Sequence, residues 1–188
     1  MAGVVGGTIA LGGGGTASVD ALSALRSRPT QTSKGTARSV EVRTFARLKA
    51  KGYQVKYNSR SQFGSCKNKS YGQVKGFFST HPCRSLHRFM AELVSPSGAS
   101  VLVAVSVVDM PNAENAAEFK DLVDVHGTGN ILELPKEVRR YRAVEFTGYR
   151  YGSRQDGTLV TNVQVEPFGR SRNAVIAAEV LSLALEAE

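Results

Sequence analysis

The side chains best suited to covalent or metal chemistry lie in the middle of the chain: Cys66, His81, Cys83 and His87. Thiolate and imidazole are zinc ligands, but structural zinc sites take paired cysteines from a close C-x2-4-C spacing that this stretch lacks. A cysteine nucleophile with His81 or His87 as its base is an alternative, yet no feature marks either thiol as activated. Because both cysteines flank loop signals, the sequence favours a Cys66–Cys83 disulfide over two free buried thiols. It predicts no metal site and no catalytic residue.

Two glycine-rich stretches have the composition of phosphate-binding loops but not their pattern. Residues 12–15 are glycines without the Lys-Ser/Thr ending of a phosphate loop. The pair Gly127 and Gly129 follows a predicted helix and does not open one, so no helix N-terminus is available to hold a phosphate. The sequence therefore predicts no cofactor.

Basic residues are concentrated in the first half of the chain. Residues 26–90 carry fifteen Lys or Arg against one acid, Glu41, whereas 91–188 carry nine against fourteen, within a net charge of +8. A surface of one sign attracts partners of the opposite sign, although a solvated basic face without a dedicated partner is the alternative. We predict a partner-binding patch for another protein or an anionic surface polymer, formed by Lys49, Lys51, Lys56, Arg60, Lys67, Lys69 and Lys75.

Aromatic residues interleave with this basic set, as they do in proteins that bind single-stranded nucleic acid. They are Tyr53, Tyr57, Phe63, Tyr71 and Phe77. A basic nucleic-acid-binding protein of the cytoplasm is therefore the second interpretation. The periodicity disfavours it, because Tyr53 and Tyr57 are predicted to share a strand face and Phe77 to lie on a buried helix stripe.

A valine-rich strand over 101–108 is predicted at the centre of the fold that positions these residues. β-branched residues favour a strand, and an unbroken apolar run needs cover on both faces. Val103, Val105 and Val107 are predicted on one face, and a turn at Pro96 to Gly98 joins this strand to the one before it. Further strands are predicted over 53–57, 143–151 and 158–165, the last two joined at Asp156-Gly157. A polar loop is predicted over 58–69.

Helices are predicted over 37–51, 70–81, 112–125 and 173–185. The first is expected to bury Val42, Phe45, Ala46 and the stem of Lys49, and Ser70 is expected to cap the second. The element order predicts an α+β fold with an antiparallel sheet. Its centre has the βαββαβ order of a ferredoxin-like unit, with extra N- and C-terminal helices.

The chain divides by composition into a leader and one domain. Residues 1–36 read as a flexible glycine-rich and basic leader and linker, and 37–188 as a single α+β domain. The glycine-broken apolar run near Met1 lacks the positive start and continuous apolar core of a secretory signal. It is also too short to span a bilayer, so no transmembrane span is predicted.

Three segments carry a resemblance: SYGQVKGFFSTHPCRSL, VLVAVSVVDMP and FTGYRYGSRQDGT. They are similar to segments of an uncharacterised family of bacterial domains that follow an N-terminal apolar segment. The resemblance covers roughly 37–188 and implies no assigned activity and no catalytic residue. It implies a membrane-tethered or secreted domain.

These observations lead to a non-enzymatic, extracytoplasmic interaction domain of unknown ligand, tethered by its N-terminal segment. The predicted disulfide supports that compartment, because disulfides persist in oxidising environments. The alternatives are the cytoplasmic nucleic-acid-binding protein and a small enzyme that depends on the cysteine and histidine residues.

Overall fold

The computed structural model describes residues 33–170 and 172–186, so the predicted leader, apart from its last four residues, lies outside the described part. The described residues form an α+β domain with an antiparallel sheet, which confirms the predicted class. Its helices are α1 (Ser33–Ala50), α2 (Gly72–Thr80), α3 (Ala113–Asp124) and α4 (Ala174–Leu185). Its strands are β1 (Gln54–Phe63), β2 (Ser85–Val94), β3 (Ser100–Asp109), β4 (Tyr151–Asp156) and β5 (Leu159–Phe168).

The five strands are arranged in the order β1-β2-β3-β5-β4, and every neighbouring pair is antiparallel. The predicted ferredoxin-like order is not confirmed, because that order requires β1 and β2 to run parallel across an α-helical crossover. Here Phe63 at the end of β1 lies opposite Leu86 near the start of β2. The segment that contains α2 therefore leaves the sheet and returns beside its exit, as the loop of a hairpin does.

The central strand β3 is covered on both faces, as the valine-rich run predicts. Val101, Val103, Val105 and Val107 join the core beneath α1 and α4, which we call the α1/α4 face. On the opposite α2/α3 face, Val108 packs in the core under α2 and α3. Leu102 packs in a smaller core with Tyr141 from the segment between α3 and β4.

A row of polar side chains crosses the α2/α3 face and separates those two cores. The strand register places its members side by side on successive strands: Ser61, Arg88, Ser106, Asn162 and Ser153. Arg88 is 1% exposed and donates to the Leu132 carbonyl at 2.7 Å and to Glu137 at 3.0 Å. A charged group at this depth needs such partners, so the segment carrying Leu132 and Glu137 covers the row.

Helix α1 lies on the sheet with a different stripe inward from the one predicted. Its buried side chains are Ala37, Glu41, Thr44 and Leu48, which recur at helical spacing. Val42 is 61% exposed, and Phe45 is only half-buried. The predicted stripe is therefore wrong for Val42, Ala46 and Lys49, which are exposed, whereas Phe45 packs against the core with its ring centroid 5.7 Å from that of Phe89. The apolar pattern alone does not show that Glu41 has a buried partner.

Strand β1 is longer than predicted and contains a register shift between Val55 and Tyr57. It extends through Phe63, so the predicted loop is strand over its first part. Val55 packs toward the α1/α4 core, whereas Tyr57 packs on Tyr141 in the opposite face's smaller core. The expectation that Tyr53 and Tyr57 share a face is therefore wrong, since an inserted residue at Lys56 reverses the side-chain alternation.

The helix caps and the second hairpin agree only in part with the sequence predictions. Asn112 caps α3 and Asn173 caps α4 through their side-chain oxygens. Tyr71, not Ser70, precedes α2, and Ser70 instead donates to the Lys67 carbonyl. The hairpin turns at Gly157, whose φ is 57°, but its first strand begins only at Tyr151. None of the helices within the described residues is long and apolar enough to cross a membrane.

Candidate functional site

The four chemistry-bearing residues of the sequence do not form one site. Cys66 and Cys83 are disulfide-bonded, with their Cα atoms 6.0 Å apart, which confirms the predicted pair. Neither sulfur is a thiolate in this state, so neither can act as a nucleophile or bind zinc. His81 stacks on Phe77 with ring centroids 4.6 Å apart, and His87 lies on the other face of the sheet. Within the described residues, no three His, Cys, Asp or Glu side chains are placed to hold a metal.

An open groove of about 470 Å³ runs between α1 and the edge strand β1 on the α1/α4 face. Helix α1 packs mainly across β2 and β3, which leaves the outer side of β1 uncovered. The groove has an apolar middle and charged ends. We call it the basic groove, and it is lined by Arg38, Glu41, Val42, Phe45, Ala46, Lys49, Val55, Asn58 and Arg60.

Glu41 is the one carboxylate among the residues that line the basic groove, and it already has partners. Its Oε2 lies 2.8 Å from Nε2 of His87, and both side chains are buried. Arg60 approaches the other oxygen of Glu41 at 3.9 Å, while its own side chain is 57% exposed. Arg38 and Lys49 form no ion pair with the described residues. The groove therefore offers positive charge to a ligand.

The structure distributes the predicted basic residues over several places. Lys49 and Arg60 are brought together in the basic groove. Lys69 lies on the opposite face, where its Nζ is 2.9 Å from Glu137 and 4.7 Å from the centroid of the Phe63 ring. The others are exposed: Lys51, Lys56, Lys67 and Lys75. That all seven form one patch stays a prediction.

Lys69 and Arg88 converge on Glu137, which fixes Lys69 within the fold. Burial opposes the ionised form of Glu137, but hydrogen bonds from Lys69 and Arg88 outweigh it and lower the pKa of this carboxyl below its usual value. The ammonium group of Lys69 therefore already has a carboxylate partner, Glu137, within the protein. Of the predicted basic residues, Lys49 and Arg60 are better placed to meet a ligand.

On the α1 side of the groove, sequence reasoning found Lys49 but gave no role to Arg38 and Glu41, and it placed Val42 in the core. The signal was present, because the apolar stripe that was assigned to the core is the stripe that lines the groove. Pattern alone cannot distinguish a buried stripe from one that awaits a ligand. Glu41, an acid in the same helix, is the feature that could have indicated a different inward side for α1.

A second depression of about 360 Å³ lies near α3 and β4 and contains Tyr71, Asp124, His126 and Tyr151. Asp124 accepts hydrogen bonds from Lys120 at 2.6 Å, from Ser153 at 2.5 Å and from Tyr151 at 3.1 Å. Burial opposes ionisation of Asp124, yet these bonds prevail and lower its pKa. Its charge is satisfied by these neighbouring side chains, in contrast to the cations Arg38 and Lys49 of the basic groove, which are unpaired within the described residues.

The fold and the site define an α+β domain with a disulfide-closed hairpin connection and an open, positively charged groove beside an edge strand. No protein-family model, curated protein or solved structure matches the chain. Function is therefore argued from the groove and from the chemistry of its residues.

Proposed function

We propose that this protein is a non-enzymatic, extracytoplasmic interaction domain, tethered by its N-terminal segment, that binds an acidic protein ligand in the basic groove. The observation that carries the proposal is the pairing of exposed cations with an exposed apolar stripe. Arg38, Lys49 and Arg60 surround Val42, which is 61% exposed. Apolar contact area supplies affinity, while a rim of one sign selects the charge of the partner.

The disulfide supports the compartment, since disulfides are rare where glutathione and thioredoxin keep thiols reduced. The resemblance to tethered or secreted bacterial domains points the same way. If the protein lies outside the cytoplasm, the partners available to it are surface proteins and polymers, and a groove with an apolar middle favours a protein.

Nucleic acid is less well supported, because most of the interleaved aromatics are used in packing. Tyr53 is 3% exposed, Phe77 contacts Phe78 and Phe119, and Tyr57 contacts Tyr141. Bases need exposed rings on which to stack. These rings are not presented together with the cations of the basic groove.

Binding of poly-L-glutamate at several salt concentrations tests the proposal. Lys49→Glu/Arg60→Glu reverses two groove cations, and Lys67→Glu/Lys75→Glu makes the same charge change away from the groove. We expect the groove variant to lose about tenfold or more in affinity and its control much less, with all binding weakened by salt. Equal loss in both variants, or no binding at low salt, contradicts the proposal. Tighter binding of single-stranded DNA than of poly-L-glutamate would instead support the nucleic-acid alternative.

A further inference from the structure

The outer side of β1 forms one edge of the described sheet. β1 has ten residues, and among the described strands it pairs only with β2. An edge strand presents a row of backbone N–H and C=O groups on its outer side, which another extended chain can pair with. The basic groove lies directly beside this edge. A strand added to β1 would project alternate side chains over the groove.

We infer that the ligand supplies an extended segment that adds to β1 as a sixth strand, with an acidic, an apolar and an acidic residue at alternating positions. This inference rests on the proposed function and specifies the form of the partner. The apolar side chain lies over Val42 and Ala46. The two acidic side chains meet the cations at the two ends of the basic groove.

The dimensions of the groove set this spacing. Helix α1 ends at Ala50 and β1 begins at Gln54, so the chain reverses between them, and the 3.9 Å contact of Arg60 with Glu41 places Arg60 about one helical turn from Arg38. From Arg38 to Lys49 a helix advances about 16 Å. Opposite the stretch from Val55 to Arg60, β2 needs only the five residues 89–93, because the register shift in β1 takes up one residue. An added strand of five residues spans about 13 Å from its first to its last residue, which fits within the groove and places same-face side chains at the first, third and fifth positions.

A second copy of this chain fits the edge poorly. Two β1 strands paired antiparallel about Asn58 would set Lys56 of one copy near Arg60 of the other, and like charges opposite each other are destabilising. The register shift between Val55 and Tyr57 further disturbs regular self-pairing. An acidic strand from a different protein removes the charge conflict.

The test uses the full chain and capped peptides of the sequence Thr-Glu-Thr-Val-Thr-Glu-Thr. Two isomers carry three backbone N-methyl groups each, one set on the first, third and fifth residues and the other on the second, fourth and sixth. N–H groups of a paired strand point alternately toward and away from its neighbour, so N-methylation blocks pairing in one isomer only. We expect one isomer to bind like the parent peptide and the other to lose about tenfold or more in affinity.

Charge exchange tests the register. Arg60→Glu is expected to weaken the parent peptide about tenfold, and replacing one of its two glutamates with lysine is expected to restore binding to that variant. Lys75→Glu, an exposed charge reversal on α2, serves as the matched control and leaves both peptides unchanged. Thermal melts of each variant confirm that the fold is retained, and Arg60→Gln replaces Arg60→Glu if it is not.

The possible results distinguish failure of strand addition from failure of the proposed function. If both N-methyl isomers bind like the parent peptide while Arg60→Glu still weakens it, strand addition is wrong and the acidic-ligand groove stands. If neither the peptide nor poly-L-glutamate binds, the proposed function itself is wrong. If poly-L-glutamate binds but a peptide with adjacent glutamates binds as well as the parent, the alternating pattern is wrong.

Discussion

Cys66 and Cys83 show how a pair of residues can determine the path of the chain around them. Their bond closes the segment that leaves β1 and returns to β2, and both side chains are buried against α2 and α3. The closure keeps the return beside the exit, which agrees with the antiparallel pairing of β1 and β2. The bond also limits the conformations of the unfolded chain.

The disulfide leads to a first prediction. We expect Cys83→Ser to lower the free energy of unfolding by about 2–4 kcal/mol, because a loop of this size loses that much closure entropy when cross-linked. Chemical denaturation of the variant measures this, with wild type in reductant as its control. Thiol titration of the unfolded, unreduced wild type should find no free thiol. Two thiols per chain in protein alkylated directly from cells would remove the main support for the extracytoplasmic assignment.

Asp124 gives a second prediction, on acid stability. Its pKa is lowered from a usual value of 3.8 because the bonds from Lys120, Ser153 and Tyr151 outweigh burial. A group with a depressed folded-state pKa contributes stability above its unfolded-state pKa and loses it as the pH falls through the folded value. Asp124→Asn should therefore unfold more easily than wild type at pH 7. The difference should shrink below about pH 4.

The control for that experiment is Asp121→Asn, an exposed position on the same helix. Urea titrations at neutral and acid pH measure the free energy of unfolding of all three proteins. A difference between Asp124→Asn and wild type that is the same at both pH values would show that the lost hydrogen bonds, and not the ionised carboxylate, account for the effect.

At the scale of elements, the orientation of α1 is the feature on which the candidate site depends. The helix turns Leu48, which is 0% exposed, toward the core and leaves Val42 at 61% exposure in the groove. This arrangement is explained by Glu41, whose buried partner His87 holds the inward stripe in place. An apolar stripe that remains at the surface is typical of an interaction face.

Paired truncations on α1 test that orientation and form a third prediction. Leu48→Ala removes a buried side chain and should cost about 2–5 kcal/mol of unfolding free energy. Val42→Ala removes an exposed one and should change stability by no more than about 0.5 kcal/mol. Denaturant unfolding of the two variants measures both. A large cost at Val42 with a small one at Leu48 would mean that the helix lies the other way and that the groove does not exist as described.

The sequence predicts these elements where a local cause is strong. The valine run over 101–108, the helices predicted to begin at Asn112 and Asn173 and the Asp156-Gly157 turn depend on causes within a few residues, and the structure follows each of them. The errors arise where contacts between residues far apart in the sequence determine the structure. The pairing of Phe63 with Leu86 makes β1 and β2 antiparallel neighbours, and it joins residues far apart in the sequence. The predicted strand over 143–151 is also too long, because 143–150 is not a strand.

The candidate site was predictable in part for the same reason. Lys49 and Arg60 are evident as exposed cations in a basic segment, but their meeting depends on α1 and β1 being antiparallel neighbours. Lys69 looks equivalent to them in sequence, yet Glu137, far along the chain, binds it at 2.9 Å. To predict that Arg38 and Val42 line the groove, one must know which side of α1 faces the sheet.

The whole molecule carries several tyrosines whose ionisation opposes folding, and this gives a fourth prediction. Burial, together with the charge of Glu179, raises the pKa of Tyr53 from 10.0 to about 12. Burial, with nearby carboxylates, also raises the pKa of Tyr141 and of Tyr151. A raised folded-state pKa contributes stability below the unfolded-state value and loses it as the pH climbs through the folded value. We therefore expect stability to fall between about pH 10 and 12.

Tyrosinate absorbance and circular dichroism followed together check this behaviour. The exposed Tyr149 (90% exposed) should ionise while the fold is intact. The buried tyrosines should ionise only as the circular dichroism signal of the folded state is lost. Tyr53→Phe should lessen the alkaline loss attributed to that residue. Ionisation of all six tyrosines before any loss of structure would contradict the assigned burial.

The closed connection between β1 and β2 has a mechanical consequence for the tethering that we propose. The disulfide spans a separation of 17 residues and holds its Cα atoms 6.0 Å apart, so about 50–55 Å of chain cannot be drawn out by force while the bond is intact. Stretching single molecules between 33 and 186 should therefore give an unfolding extension shorter by that length than the same measurement in reductant. A cell-surface tether built on this domain would have its reach set by the redox state of its surroundings.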